Sequence, residues 1–401
     1  MSVRNVYLIN LSFGLAGTER RFANIWRTLR TRAKVRPFLV VPDTLAEILY
    51  WAKLADRGDD LLWTVPEPAW SRRLSRVPVP RFADAAVPWV RSRAVARRYA
   101  AVWDQIRHDR SAVIHVGLNC SALNPPDVPI VYECVDSLLT QLGTRHYVNA
   151  AARPSIIHCQ TDRIRTSLER RNAYLQPKWT TITSPCYFAR YPDEGVTSRR
   201  DPMLIAFVGR LAPEKNPLLF VDAIARLREA GLPVRALMLG EGPMVAPIRE
   251  RIERLGLSGV IELGFSGIPL ARLMESAVYV SLQDGDNYGS QSLLEAMGAG
   301  CAIVASDVGE TARLVGDAVG LRVRLNISEL TAALSSMLRN PGRTAAMGAA
   351  ASQLARTEYT ADTYVAFLES LYELAIEKHG STAAASASKR GTSPVQAKIP
   401  A

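Results

Sequence analysis

Two cations and one carboxylate stand out in the second half of the 401-residue sequence. Arg210 and Lys215 are five residues apart, directly after the apolar run MLIAFVG, and Glu295 lies inside NYGSQSLLEAMGAG, residues 287–300. An Arg and a Lys converging on one loop can hold a diphosphate, the guanidinium through paired donors and the ammonium as a point charge. A helix that starts just after a strand presents free N–H groups and a positive dipole end, which suit a phosphate. A carboxylate about one and a half turns into that helix can accept two hydroxyls, as from a ribose. Each feature also has a plain structural reading: a solvated loop with two exposed cations, and an ordinary βαβ unit whose Glu295 is merely hydrated.

The elements that must position these groups are legible as strand–loop–helix repeats. AVYVSL and CAIVAS read as buried parallel strands on either side of the 287–300 stretch. Tyr288-Gly289 predicts a turn, Ser290 a helix N-cap, and Gly298 and Gly300 the helix end. Upstream, the strand ending at Val208 opens onto Gly209 and Arg210, and Lys215 stands just before the next helix. PVRALMLGEGP repeats the pattern, with Gly240 and Gly242 allowing close backbone approach. The first half opens the same way. A strand over Val6–Leu11 leads through a Gly-containing loop into a helix capped by Thr18, and then into the strand PFLVV. That loop is not GxGxxG, so it gives little support to dinucleotide binding. SAVIHVGL brings His115 to a strand's carboxyl end, where α/β proteins build sites, although a lone His is more often structural. The fold class expected is α/β, with two doubly wound Rossmann-like domains.

The 287–300 stretch resembles the signature of the retaining GT-B glycosyltransferases, the glycosyl transferases group 1 family (family 4-like). The family pattern is a Glu, seven residues that include an aromatic-Gly pair, and then Glu-Ala-Met followed by a small-x-Gly. Glu295 stands at the second Glu and Tyr288-Gly289 at the aromatic-Gly pair, while Asn287 replaces the first Glu. The Arg210-to-Lys215 spacing matches the family's phosphate-binding pair. The resemblance implies two domains facing across a cleft and a retaining, metal-independent transfer of a sugar from a nucleotide-diphosphate sugar to an acceptor hydroxyl. No resident cofactor or metal is implied. Arg210 and Lys215 would stabilise the leaving diphosphate and Glu295 would bind ribose hydroxyls. Asn287, Tyr288, Gly289 and Ser290 would hold the donor sugar and phosphate, with Asp286 the other candidate for the missing carboxylate. The nucleotide base would lie near Gly264-Phe265. In the first half the family carries a Gly-Gly pair where this sequence has Ala16 and Gly17, and Gly17 would let the acceptor-side loop come close. His115 is a further candidate contact. The family's His before Asp136 is absent, since Val135 stands there.

Composition narrows the partners. The formal net charge of +11 points to anionic ones: nucleotide phosphates, a membrane surface or nucleic acid. Between Trp70 and Arg110 ten arginines against three aspartates interleave with aromatics, a mixture that suits anionic lipid headgroups or, alternatively, a solvated helical face over core aromatics. No nucleic-acid motif accompanies it, so nucleic acid is not expected as a partner. Five widely spaced cysteines without a Cys-x-x-Cys pair read as reduced thiols. With no membrane-length apolar run and no signal-peptide core, the expected location is cytoplasmic, with a peripheral position at the inner face of the cell membrane left open.

The boundaries expected are an acceptor domain over 1–185, a linker over 186–202, a donor domain over 203–358, and a helix over 359–379 packing back toward the first domain. An Ala/Ser/Lys-rich tail over 380–401 is expected to be disordered. The partners expected are a nucleotide-sugar donor and a glycan or lipid-linked acceptor, in polysaccharide or glycolipid assembly. Two other readings stay open: a nucleotide-sugar epimerase or phosphorylase-like GT-B enzyme, and a non-catalytic nucleotide- or carbohydrate-binding homologue.

Overall fold

Runs such as VYLI and LIAFV are apolar at successive positions, so their strands must be covered on both faces. The computed structural model describes residues 4–14, 17–31, 34–74, 86–117, 123–135, 155–171, 179–189, 191–193, 199–266 and 269–390, and there these runs are the centres of two parallel sheets. The chain forms two units, Met1–Ser184 with Val365–Ala401, and Pro185–Tyr364.

The first unit contains β1 (Arg4–Ile9), α1 (Gly17–Leu29), β2 (Val35–Pro42), α2 (Asp43–Trp51), β3 (Leu62–Val65), α3 (Ala69–Leu74), α4 (Ala86–Ala96), α5 (Ala100–His108), β4 (Ala112–Val116), β5 (Ile130–Cys134), β6 (Ser155–Cys159), α6 (Asp162–Arg171) and β7 (Trp179–Thr183). Its sheet order is β3-β2-β1-β4-β5-β6-β7, so the winding reverses between β1 and β4. One face is apolar: Ile114, Ile130, Tyr132 and Ile157 pack with Tyr99 and Trp103.

The other face carries a buried polar cluster. Register places Glu133 opposite His158, and His115 two residues out of step on the neighbouring strand. Arg21 of α1 pairs with Glu133 at 2.8 Å. His115 is fully buried, with Nδ1 2.9 Å from the Tyr372 hydroxyl and Nε2 3.2 Å from His158 Nε2. Two ring nitrogens that face each other so closely can share only one proton, so the two cannot both be imidazolium, and burial disfavours the charge on each. His115 is therefore a packing residue rather than a contact in an open site, which corrects that expectation. The physical reason is Tyr372, brought in from 257 positions away by the last helix, α13 (Ala361–Arg390).

Two other expectations change. α13 continues to Arg390, through the first eleven residues of the stretch expected to be disordered, because propagating an existing helix through Ala-rich sequence is cheap once its nucleus is packed. Residues 391–401 lie outside the described residues. The aromatic residues of the basic stretch divide: Tyr99 and Trp103 are core, whereas Trp70 and Trp89 are 55% and 46% exposed. Arg91 is lost to any surface role, since it is buried on Glu67 at 2.7 Å, and residues 75–85 lie outside the described residues.

The second unit contains β8 (Asp201–Val208), α7 (Pro217–Glu229), β9 (Arg235–Leu239), α8 (Val245–Arg254), β10 (Ile261–Gly264), α9 (Leu270–Glu275), β11 (Ser276–Ser281), α10 (Gln291–Gly298), β12 (Ala302–Ser306), β13 (Gly320–Val323), α11 (Ile327–Arg339) and α12 (Pro341–Glu358). Its order, β10-β9-β8-β11-β12-β13, reverses between β8 and β11. The stretch expected as a linker is partly built into this unit: Tyr187 stacks edge-on against Tyr364, and Tyr191 donates to the Tyr359 carbonyl at 2.7 Å. Among the described residues no helix is long and apolar enough to cross a membrane. Cys134, Cys159, Cys186 and Cys301 are buried thiols.

The histidine cluster makes stability pH-dependent. Burial, helped by the Arg21 charge, pulls His115 down from 6.5 to about 3. A depressed folded value means that the unfolded chain binds the extra proton, so this stability is present above pH 6.5 and is lost as pH falls toward 3. Between pH 6.5 and 5 the loss should be about 2 kcal/mol. Thermal melts of His115→Gln should show lower stability at neutral pH but a flatter acid limb; an unchanged slope would contradict the assignment.

Candidate active site

The carboxyl ends of β8 and β11 flank the point where the second sheet reverses, the place where open α/β sheets form a crevice. After β8 the chain passes Gly209 and Arg210, makes a short 3-10 turn over Pro213–Lys215, and enters α7. Asn216 joins the two in a left-handed conformation, φ 50°, which Asn tolerates better than most residues. Its amide donates to the Leu282 carbonyl at 3.0 Å and to Asp284 Oδ1 at 2.6 Å, and the Asp284 N–H donates to the Glu214 carbonyl at 3.0 Å. The β8 loop is thereby fastened to the β11 loop.

Close backbone approach fixes the other side. A Cβ on Gly240 would stand 1.8 Å from the Gly209 carbonyl oxygen, and one on Gly242 2.3 Å from that of Leu211. The Leu211 N–H donates to the Glu241 carbonyl at 2.8 Å. Phe265, just beyond β10, is 61% exposed.

Arg210 is exposed and paired with Glu214 on its own loop. Lys215 is half-buried with Nζ on Gln283 Oε1, and burial pulls its ammonium down to about 8, with Glu214 opposing the fall and Arg210 adding to it. Expelling water around a cation without neutralising it leaves it suited to an anionic ligand.

Beyond β11, a turn closes from the Ser290 N–H to the Asn287 carbonyl at 3.0 Å, with Gly289 at φ 75°. Ser290 is the N-cap residue of α10, although its side chain makes no capping bond. The helix ends in a Schellman pair, Cys301 N–H to the Ala296 carbonyl and Gly300 N–H to that of Met297, with Gly300 at φ 82°. Gly298 is needed for packing, since a Cβ there would meet the Tyr191 ring at 2.1 Å. Glu295 is half-buried on α10, and its charge acts with burial to raise the hydroxyl of Tyr279. That hydroxyl donates to the Val208 carbonyl at 3.0 Å and lies 2.9 Å from Ser292 Oγ, joining the end of β8 to α10. Tyr288 is buried beneath the Arg313 guanidinium, 4.2 Å from the ring centroid.

The structure brings Arg210, Lys215, Asp286, Asn287, Tyr288, Gly289 and Ser290 to adjoining loops of one unit, with Glu295 on the helix that follows. It corrects the part given to Asn287. That side chain is fully buried: Oδ1 accepts from Ser281 Oγ at 2.6 Å and Gln283 Nε2 at 3.0 Å, while Nδ2 donates to the Ser306 carbonyl, Ser306 Oγ and Thr311 Oγ1 at 3.1–3.2 Å. An amide so engaged has no lone pair or hydrogen left for a sugar hydroxyl. Asp286 also works within the loops, accepting from the N–H groups of Tyr288 and Glu310 at 2.9 Å. In the first unit Gly17 is the first residue of α1, and Ala16 and Asp136 lie outside the described residues.

Sequence reasoning missed Gln283, Tyr279, Ser306 and Thr311. One signal was present: β11 and β12 are apolar strands that both end in Ser, at 281 and 306, so each carries a hydroxyl to the loop edge.

Residues 193–354, which lie within the second unit, match the model described as Glycosyl transferases group 1. The second unit belongs to that family. Among curated relatives, the D-inositol 3-phosphate glycosyltransferase of Segniliparus rotundus is 32% identical over 155 residues, 37% of this chain and 34% of that protein. The putative glycosyltransferase EpsF of Bacillus subtilis is 27% identical over 224 residues, 53% of this chain and 56% of that protein. This chain thus spans about a third to a half of the length of the relatives it matches. Two solved structures are similar throughout. One is S. aureus TarM in complex with fondaparinux, alpha-GlcNAc-glycerol and UDP, with a TM-score of 0.69 at 12% identity, over 92% of this chain and 100% of that one. The other is Anabaena HepE in complex with UDP-glucose, with a TM-score of 0.65 at 16% identity, over 92% and 100%. At such identities the likeness shows the fold, which is GT-B with two Rossmann-like domains.

Proposed function

We propose that the chain is a retaining glycosyltransferase that moves a sugar from a nucleotide-diphosphate sugar to an acceptor hydroxyl without a metal ion. The observation that carries this reading is the convergence of Arg210, Lys215 and the Glu295 helix on one sheet reversal point within a glycosyl transferases group 1 unit. Negative charge grows on the leaving diphosphate, and fixed cations aimed at it lower the barrier as a divalent ion would. The half-buried Lys215 suits that role. Asp284 and Asp286 hold Asn216 and backbone amides, which favours cations over a carboxylate-bound metal. Attack from the face that the leaving group departs, with the phosphate oxygen taking the proton, needs no protein base. The UDP and UDP-glucose of the similar structures make a uridine donor the first to try. A glycan or lipid-linked acceptor, and a part in polysaccharide or glycolipid assembly, fit the family. A binding-only homologue would be stabilised by nucleotide and turn nothing over.

For the enzyme, Arg210→Ala and Lys215→Ala should each lower turnover a hundredfold or more, about 2.7–4 kcal/mol of transition-state stabilisation. Activity should survive EDTA, and the product should keep the donor's anomeric configuration by proton NMR. Metal-dependent turnover or an inverted product would refute the mechanism.

We also propose that the first unit docks on anionic lipid through Trp70 and Trp89, flanked by the exposed Arg73, Arg93 and Arg97. Each arginine at such a surface contributes roughly 1 kcal/mol. Co-sedimentation with phosphatidylserine vesicles should weaken with salt and be lost when those three arginines become Gln, and equal binding to neutral vesicles would refute it.

A further inference from the structure

We propose that Asn287 is a positioning residue for Lys215, acting through Gln283. This rests on the reading that Lys215 faces the donor diphosphate, and it gives a task to the residue that replaces the family's first Glu. Hydroxyl orientations on the β12 side decide the arrangement. Ser306 Oγ donates to the Gln283 carbonyl at 2.7 Å and Thr311 Oγ1 donates to the Val308 carbonyl at 2.6 Å. Both hydroxyl protons are therefore committed, and with the Ser306 carbonyl these atoms offer only acceptors to Asn287. The Asn287 NH₂ must face them, which turns Oδ1 toward Ser281 and Gln283.

Gln283 then has one choice. Its NH₂ donates to Asn287 Oδ1 at 3.0 Å, so its carbonyl oxygen is left to accept from Lys215 Nζ. The opposite flip would set an NH₂ against an ammonium and a carbonyl against a carbonyl. Orientation thus passes from the β12 backbone through two amides to the cation. A carboxylate at 287 could take the Ser281 and Gln283 donors with one oxygen, but its other oxygen would face the three acceptors that the NH₂ now satisfies, so this pocket suits Asn. The charged groups near Lys215 are Arg210 and Glu214 on its own loop and Asp284 on the facing one.

The test is a double-mutant cycle read by calorimetric titration, on the full chain, of whichever of UDP, GDP and ADP binds the wild type most tightly. Gln283→Met keeps the side-chain length and leaves the Asn287 pocket intact, so it should fold even if Asn287→Ala does not. Either variant should weaken nucleotide binding about tenfold in the Lys215 background and less than twofold in a Lys215→Ala background. Affinity should fall on the alkaline side as the Lys215 ammonium, held down to about 8, loses its proton, and that fall should begin at lower pH in Gln283→Met than in the wild type, because the ammonium has lost its acceptor. A purely structural role would cost the same in both backgrounds and leave the alkaline limb in place; either result overturns the relay while the diphosphate reading stands. If Lys215→Ala binds nucleotide as tightly as the wild type, the diphosphate reading fails and the relay with it.

Discussion

Four contacts hold the loop after β8 against the loop after β11: Asn216 to Leu282, Asn216 to Asp284, Asp284 to Glu214, and Lys215 to Gln283. Everything else proposed for the second unit depends on them. Each loop alone is a polar segment at the edge of a sheet, free to take many shapes, and ordering it costs roughly 1–2 kcal/mol per residue. The contacts are possible because the strand order reverses between β8 and β11, so their loops leave toward opposite faces and open a crevice between them. A left-handed Asn at 216 and glycines at 240 and 242 allow the backbones to come close enough.

The same constraint explains how a cation comes to be half-buried without a carboxylate touching its ammonium. Glu214, the acid whose charge acts on it, is paired with Arg210, while Lys215 rests on a neutral amide. An amide acceptor orients an ammonium without neutralising it, so its charge remains available to a ligand. Asn287 continues the arrangement inward: its oxygen meets two donors, Ser281 and Gln283, and its NH₂ meets acceptors that a second carboxylate oxygen could not satisfy.

Much of this was legible in the sequence. The parallel strands followed from their apolar runs, and so did the positions of Arg210 and Lys215 on the loop after one strand and of Glu295 on the helix after another. The helix end at Gly298 and Gly300 was legible too, although only the structure separates the packing glycine from the left-handed one. What stayed hidden depends on distant chain. The burial of Asn287 needs Ser306 and Thr311, delivered by the neighbouring strand, and that of His115 needs Tyr372, delivered by the last helix. Types and local spacing carry no record of such pairings. The helix beyond Gly380 is a different case, since composition argued for disorder and propagation from a packed helix prevailed.

The central claim is that the loops at the reversal point of the second sheet hold a nucleoside diphosphate. Hydrogen–deuterium exchange of the full chain, with and without saturating nucleoside diphosphate, reads this directly at the backbone. The account predicts slowed exchange over 209–216 and 282–295, with the interior of β9 unchanged. Saturating binding that leaves both loops unprotected, or that protects only the first unit, would contradict it.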